Sequence, residues 1–223
     1  GGSGHPRPGA VSLAHHGVLF LDEASEIPAR VLDGLRTPLE HGRVRIIRAR
    51  REVTFPARFQ LVLAANPCLC GAEQPSSCAC TSAQRAGYLA NLSGPLRDRL
   101  DMTIHLRTAG AVVHAEGEES SAAIAGRVAE ARERARHRWG SHRLSAPGNA
   151  AVDGAHLRRH APADEAGMAL ISAYLADGVI SQRGVDKTLR LSWTICDLEA
   201  GQRPDLDHVA RALELRAGAE VTA

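Results

Sequence analysis

Gly17-Val18-Leu19-Phe20-Leu21-Asp22-Glu23 sets four consecutive apolar residues before two carboxylates. An apolar run this short and unbroken reads as a strand buried on both faces, the kind found in parallel sheets. Open α/β sheets bind ligands at the C-terminal edge of their strands, which is where Asp22 and Glu23 fall. The first acid can hold the shell of a Mg²⁺ ion and the second can polarise an attacking water, two tasks that phosphoryl transfer requires. The same residues equally describe a buried strand whose acids serve the next helix.

Downstream of this strand, Pro28 opens a helix, where its missing N–H costs nothing. Val31, Leu32, Leu35 and Leu39 mark one apolar face, Pro38 is expected to kink the last turn, and Gly42 ends it. Residues 43–55 alternate as a hairpin. Leu61-Val62-Leu63-Ala64-Ala65 is a second buried strand ending at Asn66-Pro67. A cysteine-rich loop spans about 68–80, helix follows over 82–100 with a break at Gly94-Pro95, and Thr103 to Leu106 reads as a short strand. Upstream, residues 1–16 read as a Gly- and Pro-rich loop with a short helical end. Small, polar and acidic residues at 109–120 suit a linker, and helices fill the remainder, near 121–138, 153–160, 164–177, 184–200 and 205–217. Strands alternating with helices, then helices alone, give an α/β domain at 1–108, the linker, and an all-α domain at 121–223.

The 223 residues are 44% hydrophobic and 23% charged, ordinary for a soluble globular chain, and only 3% aromatic, so the core is built from small aliphatic contacts. A net charge of +2 argues for no partner by itself, and no apolar run approaches the ~20 residues of a membrane span. A cytoplasmic location without membrane contact is expected. The sequence begins at Gly1 and has one lysine, Lys187, outside any G-x-x-x-x-G-K-[ST] pattern. It therefore reads as the later part of a longer protein, lacking the loop that cradles ATP phosphates, and the chain alone is expected not to turn over ATP.

Three further groups of residues carry chemistry. Cys68-x-Cys70 and Cys78-x-Cys80 place four thiols in a 13-residue loop, which can close a tetrahedral zinc site or stand as reduced or oxidised pairs. Cys196 shares an apolar helix stripe with Leu189 and Trp193 and reads as core. Arg43, Arg45, Arg48, Arg50 and Arg51 put five guanidiniums into nine residues, enough to track nucleic-acid phosphates or to protect an exposed edge hairpin. Ser93-Gly94-Pro95-Leu96-Arg97-Asp98-Arg99-Leu100-Asp101 offers an arginine to a neighbouring subunit's phosphate, or else a solvated face of Arg–Asp pairs.

Taken together, these motifs resemble one family. Pro6-Arg7-Pro8-Gly9-Ala10-Val11-Ser12-Leu13-Ala14-His15-His16-Gly17 followed by Val18 to Glu23 is similar to the Walker B region of the Mg-chelatase-like AAA+ ATPases, in their YifB/ComM branch. Arg36-Thr37-Pro38-Leu39-Glu40-His41-Gly42, Val53-Thr54-Phe55-Pro56-Ala57-Arg58-Phe59, Asn66-Pro67-Cys68, Leu92-Ser93-Gly94-Pro95 and Asp98-Arg99-Leu100-Asp101 continue it. Ala10, Leu69 and Val185-Asp186-Lys187 depart from the pattern. The resemblance implies a partial AAA+ P-loop NTPase core with a parallel sheet, followed by an all-α lid. It makes Asp22 and Glu23 the Walker B acids, Asn66 sensor 1, Arg99 the arginine finger in preference to Arg97, and Arg183 sensor 2, with Arg190 in reserve. ATP and Mg²⁺ would be the cofactors; Zn²⁺ comes in only through the four thiols, as one of the alternatives given above.

The function so implied is an ATP-driven hexameric ring that remodels DNA by branch migration or as a helicase. A chaperone-like or metal-insertion motor acting on a protein partner is the alternative, as is an inactive remnant. The AAA+ sheet would have its P-loop strand between the sensor 1 strand and the last strand. This chain supplies neither that strand nor one edge strand, so the strand at 103–106 is expected to stand displaced or poorly paired. The helical lid is expected to fold more independently than residues 1–108.

Overall fold

The computed structural model describes residues 6–48, 51–72, 77–107 and 119–222. They form two compact units, residues 1–100 and 101–223. The limit expected at 108/109 lies outside the described residues, and the one expected at 120/121 falls where a helix begins at Ser121.

In the first unit, strands β1 (Val18–Leu21) and β4 (Gln60–Leu63) pair in parallel, Val18 opposite Gln60 through Leu21 opposite Leu63. Between them come α2 (Ala29–Asp33), α3 (Arg36–His41) and the antiparallel hairpin β2 (Arg43–Arg48) and β3 (Arg51–Pro56). A single turn, α1 (Ala10–Leu13), precedes β1; α4 (Ser82–Leu89) and α5 (Gly94–Arg97) follow β4. Leu32, Leu35 and Leu96 are the buried centre, with Leu19, Leu21, Leu61 and Leu63 packed on them from the sheet.

Two expectations are corrected here. β1 is covered on one face only: Leu19 and Leu21 turn inward, while Val18 and Phe20 are more than half exposed. The two-stranded sheet has one layer of helices beneath it, so the period-2 pleat sends alternate side chains to solvent. Nor does Pro38 kink the end of a single helix. The break falls at Gly34–Leu35, and Pro38 sits in the first turn of α3, where an amide N–H has no intrahelical acceptor. Val31 consequently points outward. Gly42 does end α3, at φ 63°, with the Arg58 side chain against it where a Cβ would stand.

The second unit is a helical bundle: α6 (Ser121–Ser141), α7 (Gly154–His160), α8 (Glu165–Ala176), α9 (Gln182–Leu198) and α10 (Leu206–Ala217). Ser120, Asp153, Asp164, Ser181 and Asp205 each cap the helix that follows with a side-chain oxygen. Trp139, Leu157, Ile171, Leu189, Trp193, Cys196, Val209 and Leu213 lie in its core. The strand expected at 103–106 is found as β5 (Ile104–Arg107), outside the β1–β4 sheet. It is nevertheless paired, in parallel with β6 (Ala219–Thr222), a strand the sequence patterning does not announce. The architecture is thus a small parallel α/β sheet followed by a mainly helical region, as the AAA+ core-plus-lid resemblance implies, with the β5–β6 pair added to it.

Candidate functional site

The register of β1 on β4 brings Asp22, Glu23 and Asn66 to one edge of the sheet. Leu21 lies opposite Leu63, and both chains leave the ladder there. Ala64 N–H donates to Leu21 O at 3.0 Å and Ala24 N–H to Ala64 O at 2.8 Å, tying the two strand ends together. Glu23 occupies the left-handed region (φ 49°, ψ 40°), a conformation that costs a non-glycine residue about 1–2 kcal/mol. The Asp22 carboxylate accepts the Glu23 N–H at 2.9 Å and offsets part of that cost. Asp22, Glu23 and Asn66 are all exposed, so an ion, a water or a phosphate can reach them.

Arg99 is folded back on its own unit. Its guanidinium donates to Glu40 Oε1 at 2.6 Å and to Pro95 O at 2.7 Å, and its side chain is only 11% exposed. Arg97, on the same turn, is exposed. The resemblance points to Arg99 but gives no hint of Glu40, which lies 59 residues away in sequence.

The four cysteines of the loop converge. All four Sγ atoms lie within 4.8 Å of one another, with Cys68 at 3.2 Å from Cys70 and 3.4 Å from Cys78. Hydrogen bonding from Cys68 holds the Cys70 thiol down at about 6, while its bonds to Cys70 and Cys78 push Cys68 up to about 11. Arg85 of α4 donates to Cys78 Sγ at 3.7 Å and to Cys80 O at 3.2 Å. A cation five residues past the last cysteine was a readable signal for this support. A close set of thiols, one already inclined to ionise, can hold a single metal ion.

On the hairpin, Arg43 and Arg45 are exposed and alternate with half-buried Val44 and Ile46. Arg45 pairs with Glu52 across the ladder, which halves the local charge those two arginines offer. Arg48 and Arg51 sit opposite each other at the tip; their side chains, and all of Arg50, lie outside the described residues.

In the helical unit, Arg183 is exposed at the N-terminus of α9, just after the Ser181 cap. Arg190 is instead committed to the fold: two of its nitrogens donate to Val152 O at 3.0 and 2.8 Å. Cys196 is fully buried, as its stripe suggested, and burial pushes its thiol up to about 11. The helical unit also holds a buried network that no local sequence pattern announces. Arg138 makes a two-pronged bond to Asp197 at 2.7 and 2.6 Å, and Asn149 links Asp197, Arg138, Trp139 and Thr194.

The comparisons agree with this architecture. Residues 1–113 match the family model described as magnesium chelatase, subunit ChlI, and residues 118–216 match that of its C-terminal region. An uncharacterized protein of Mycobacterium tuberculosis is 49% identical over 97% of this chain and 43% of its own length. YifB of Escherichia coli and the competence protein ComM of Haemophilus influenzae are each 36% identical over 97% of this chain and 42% of theirs. The chain thus spans less than half the length of these relatives. No helix among the described residues is long and apolar enough to cross a membrane. With both family models matched in order and relatives 36% identical over 97% of its length, the chain belongs to the magnesium-chelatase-like AAA+ family, alongside YifB and ComM.

Proposed function

We propose that this chain supplies the water-activating and phosphate-sensing side of a ring-forming, ATP-driven motor that remodels DNA in the cytoplasm. The observation that carries the reading is the β1–β4 register, which sets Asp22, Glu23 and Asn66 at one sheet edge. Asp22 would hold the Mg²⁺ shell, Glu23 would polarise water toward the γ-phosphate, and Asn66 would orient that water. Arg183 would touch the phosphates of its own subunit's nucleotide, and Arg99 those of a neighbour's in a hexamer. Zn²⁺ is the ion that four cysteines suit best.

DNA is favoured over a protein partner by the exposed Arg43 and Arg45 on the β2–β3 hairpin, and by the kinship to a protein named for competence. The magnesium-chelatase models favour protein remodelling as the second reading. The chain has no P-loop, so we expect no turnover from it alone. Fusing a P-loop-bearing half of an AAA+ core ahead of Gly1 tests the assignment. The chimera should hydrolyse ATP, be stimulated by branched DNA, and lose at least ~10²-fold in kcat on Glu23→Gln. An active chimera indifferent to Glu23→Gln sinks the catalytic assignment; one indifferent to DNA favours the protein partner.

A further inference from the structure

The cysteine cluster sits between two parts of the candidate site and touches both through the chain. Cys68 is buried and follows Asn66 by two residues, with its carbonyl accepting the Gly71 N–H at 3.1 Å. Cys80 precedes α4 by two residues, and α4 begins in a capping box between Thr81 and Gln84. Just past the far end of that helix, Asn91 donates to Ser25 O at 2.6 Å, two residues beyond Glu23. Tyr88 faces the same turn: burial, then the charges of Glu26 and Glu23, push its phenol up. A clip on the four thiols therefore fastens the exit of β4 to the start of α4, and α4 fastens the turn after β1.

Chemistry narrows the clip. A tetrahedral ion with Zn–S bonds near 2.3 Å spaces its sulfurs about 3.8 Å apart. The Sγ separations of 3.2, 3.4 and 3.6 Å need to open by only a few tenths of an ångström to reach that spacing. A polynuclear iron–sulfur cluster holds its cysteines farther apart than one ion does. A disulfide needs sulfurs at about 2.05 Å, and none of the five cysteines is so paired. Arg85 donates to the Cys78 sulfur, outer-sphere support for an electron-rich thiolate, and to the backbone carbonyl of Cys80.

We propose that Cys68, Cys70, Cys78 and Cys80 bind one Zn²⁺ whose task is positioning: it braces the loop between β4 and α4, and through α4 the turn that follows Glu23. The functional weight of the brace rests on the roles given above to Asn66 and Glu23; the brace itself does not. Its ligands carry no catalytic duty.

The full 223-residue chain, purified reduced, should carry about one zinc. Replacement by Co²⁺ should give the visible absorption of a tetrahedral thiolate site, lost or shifted in Cys78→Ser and unchanged in Cys196→Ser. Chelation should raise hydrogen exchange at least about tenfold at Ala64 and Gly71, whose amides are bonded to Leu21 O and Cys68 O, and also at Ala24, Glu26 and Ile27. Should Cys78→Ser fail to fold, chelation of the unaltered chain makes the same comparison. Reduced protein without metal, or an octahedral cobalt spectrum, overturns the site. Exchange that rises within 68–82 but not at Ala24 to Ile27 overturns the brace. None of these readouts involves ATP, so a failed sensor assignment would show separately, as Asn66→Ala leaving the chimera's turnover intact.

Discussion

Single residues decide most here at Arg99. A finger that acts on a neighbour must be deliverable to it, yet Arg99 is held by Glu40 and Pro95 O within its own unit. A charge-assisted bond to a side chain this little exposed contributes about 1.5–3 kcal/mol. A neighbour's phosphate would have to compete with Glu40 for the guanidinium. Two variants separate the possibilities. In the ATP-hydrolysing chimera, Arg99→Ala should cut kcat by about 10³-fold or more while nucleotide still binds. Glu40→Ala should lower the stability of the first unit by about 1–3 kcal/mol and spare turnover. If Arg97→Ala rather than Arg99→Ala abolishes turnover, the exposed arginine is the finger and Arg99 is a strut. The sequence made Asp22, Glu23 and Asn66 legible because each closes a short apolar run, and the run marks its own end. The Glu40–Arg99 and Arg138–Asp197 pairs were illegible because each joins residues 59 apart, and no periodicity encodes such a meeting.

Elements were readable wherever a local rule dominates. Ser or Asp stands at the N-cap of each of the five α-helices described in the helical unit, and all five lie close to where caps and apolar spacing put them. β1 is found at its expected residues but is covered on one face only, because a continuous apolar run does not say how many faces are covered. β6 follows a left-handed Gly218 and is made a strand by β5, a partner more than 100 residues earlier, so nothing local could announce it. Among the helices, α9 bears most load. Its Asp197 is 1% exposed and neutralises Arg138, whose guanidinium lies 3.8 Å from the Trp193 ring centroid. Removing one partner of a buried pair leaves the other charge without compensation, at about 3–5 kcal/mol. Asp197→Leu should therefore destabilise the helical unit by that amount in urea. Arg138→Met combined with Asp197→Leu should recover part of it, since neither charge then remains. A double variant no better than the single one would show that the network stabilises by its hydrogen bonds to Asn149 and not by charge balance.

At the scale of the whole molecule the two units differ in how much they bury. Among the described residues, the helical unit has thirteen buried residues in one cluster, among them both tryptophans, packed edge to face at 5.9 Å. The main cluster of the first unit has three, with Val18 and Phe20 left 58% and 57% exposed on the open face of its sheet. At about 25 cal/mol per Å² of apolar surface removed from water, the unit with the larger core is the more stable. Unfolding should thus proceed in two steps, the first unit melting earlier. The chain carries its own reporters for this. Trp139 and Trp193 are its only tryptophans, so intrinsic fluorescence follows the helical unit alone, while far-ultraviolet dichroism follows both. The dichroism curve in urea should begin to fall before the fluorescence curve. Asp197→Leu should move the fluorescence midpoint and leave the early dichroism step in place. The open face adds a second expectation, because exposed apolar strand surface invites association. Light scattering should therefore grow with concentration across the first step, and Phe20→Ser should reduce it without moving the fluorescence midpoint. Coincident curves from the two probes would mean that the units unfold as one body, and that the small core of the first is supported by the second.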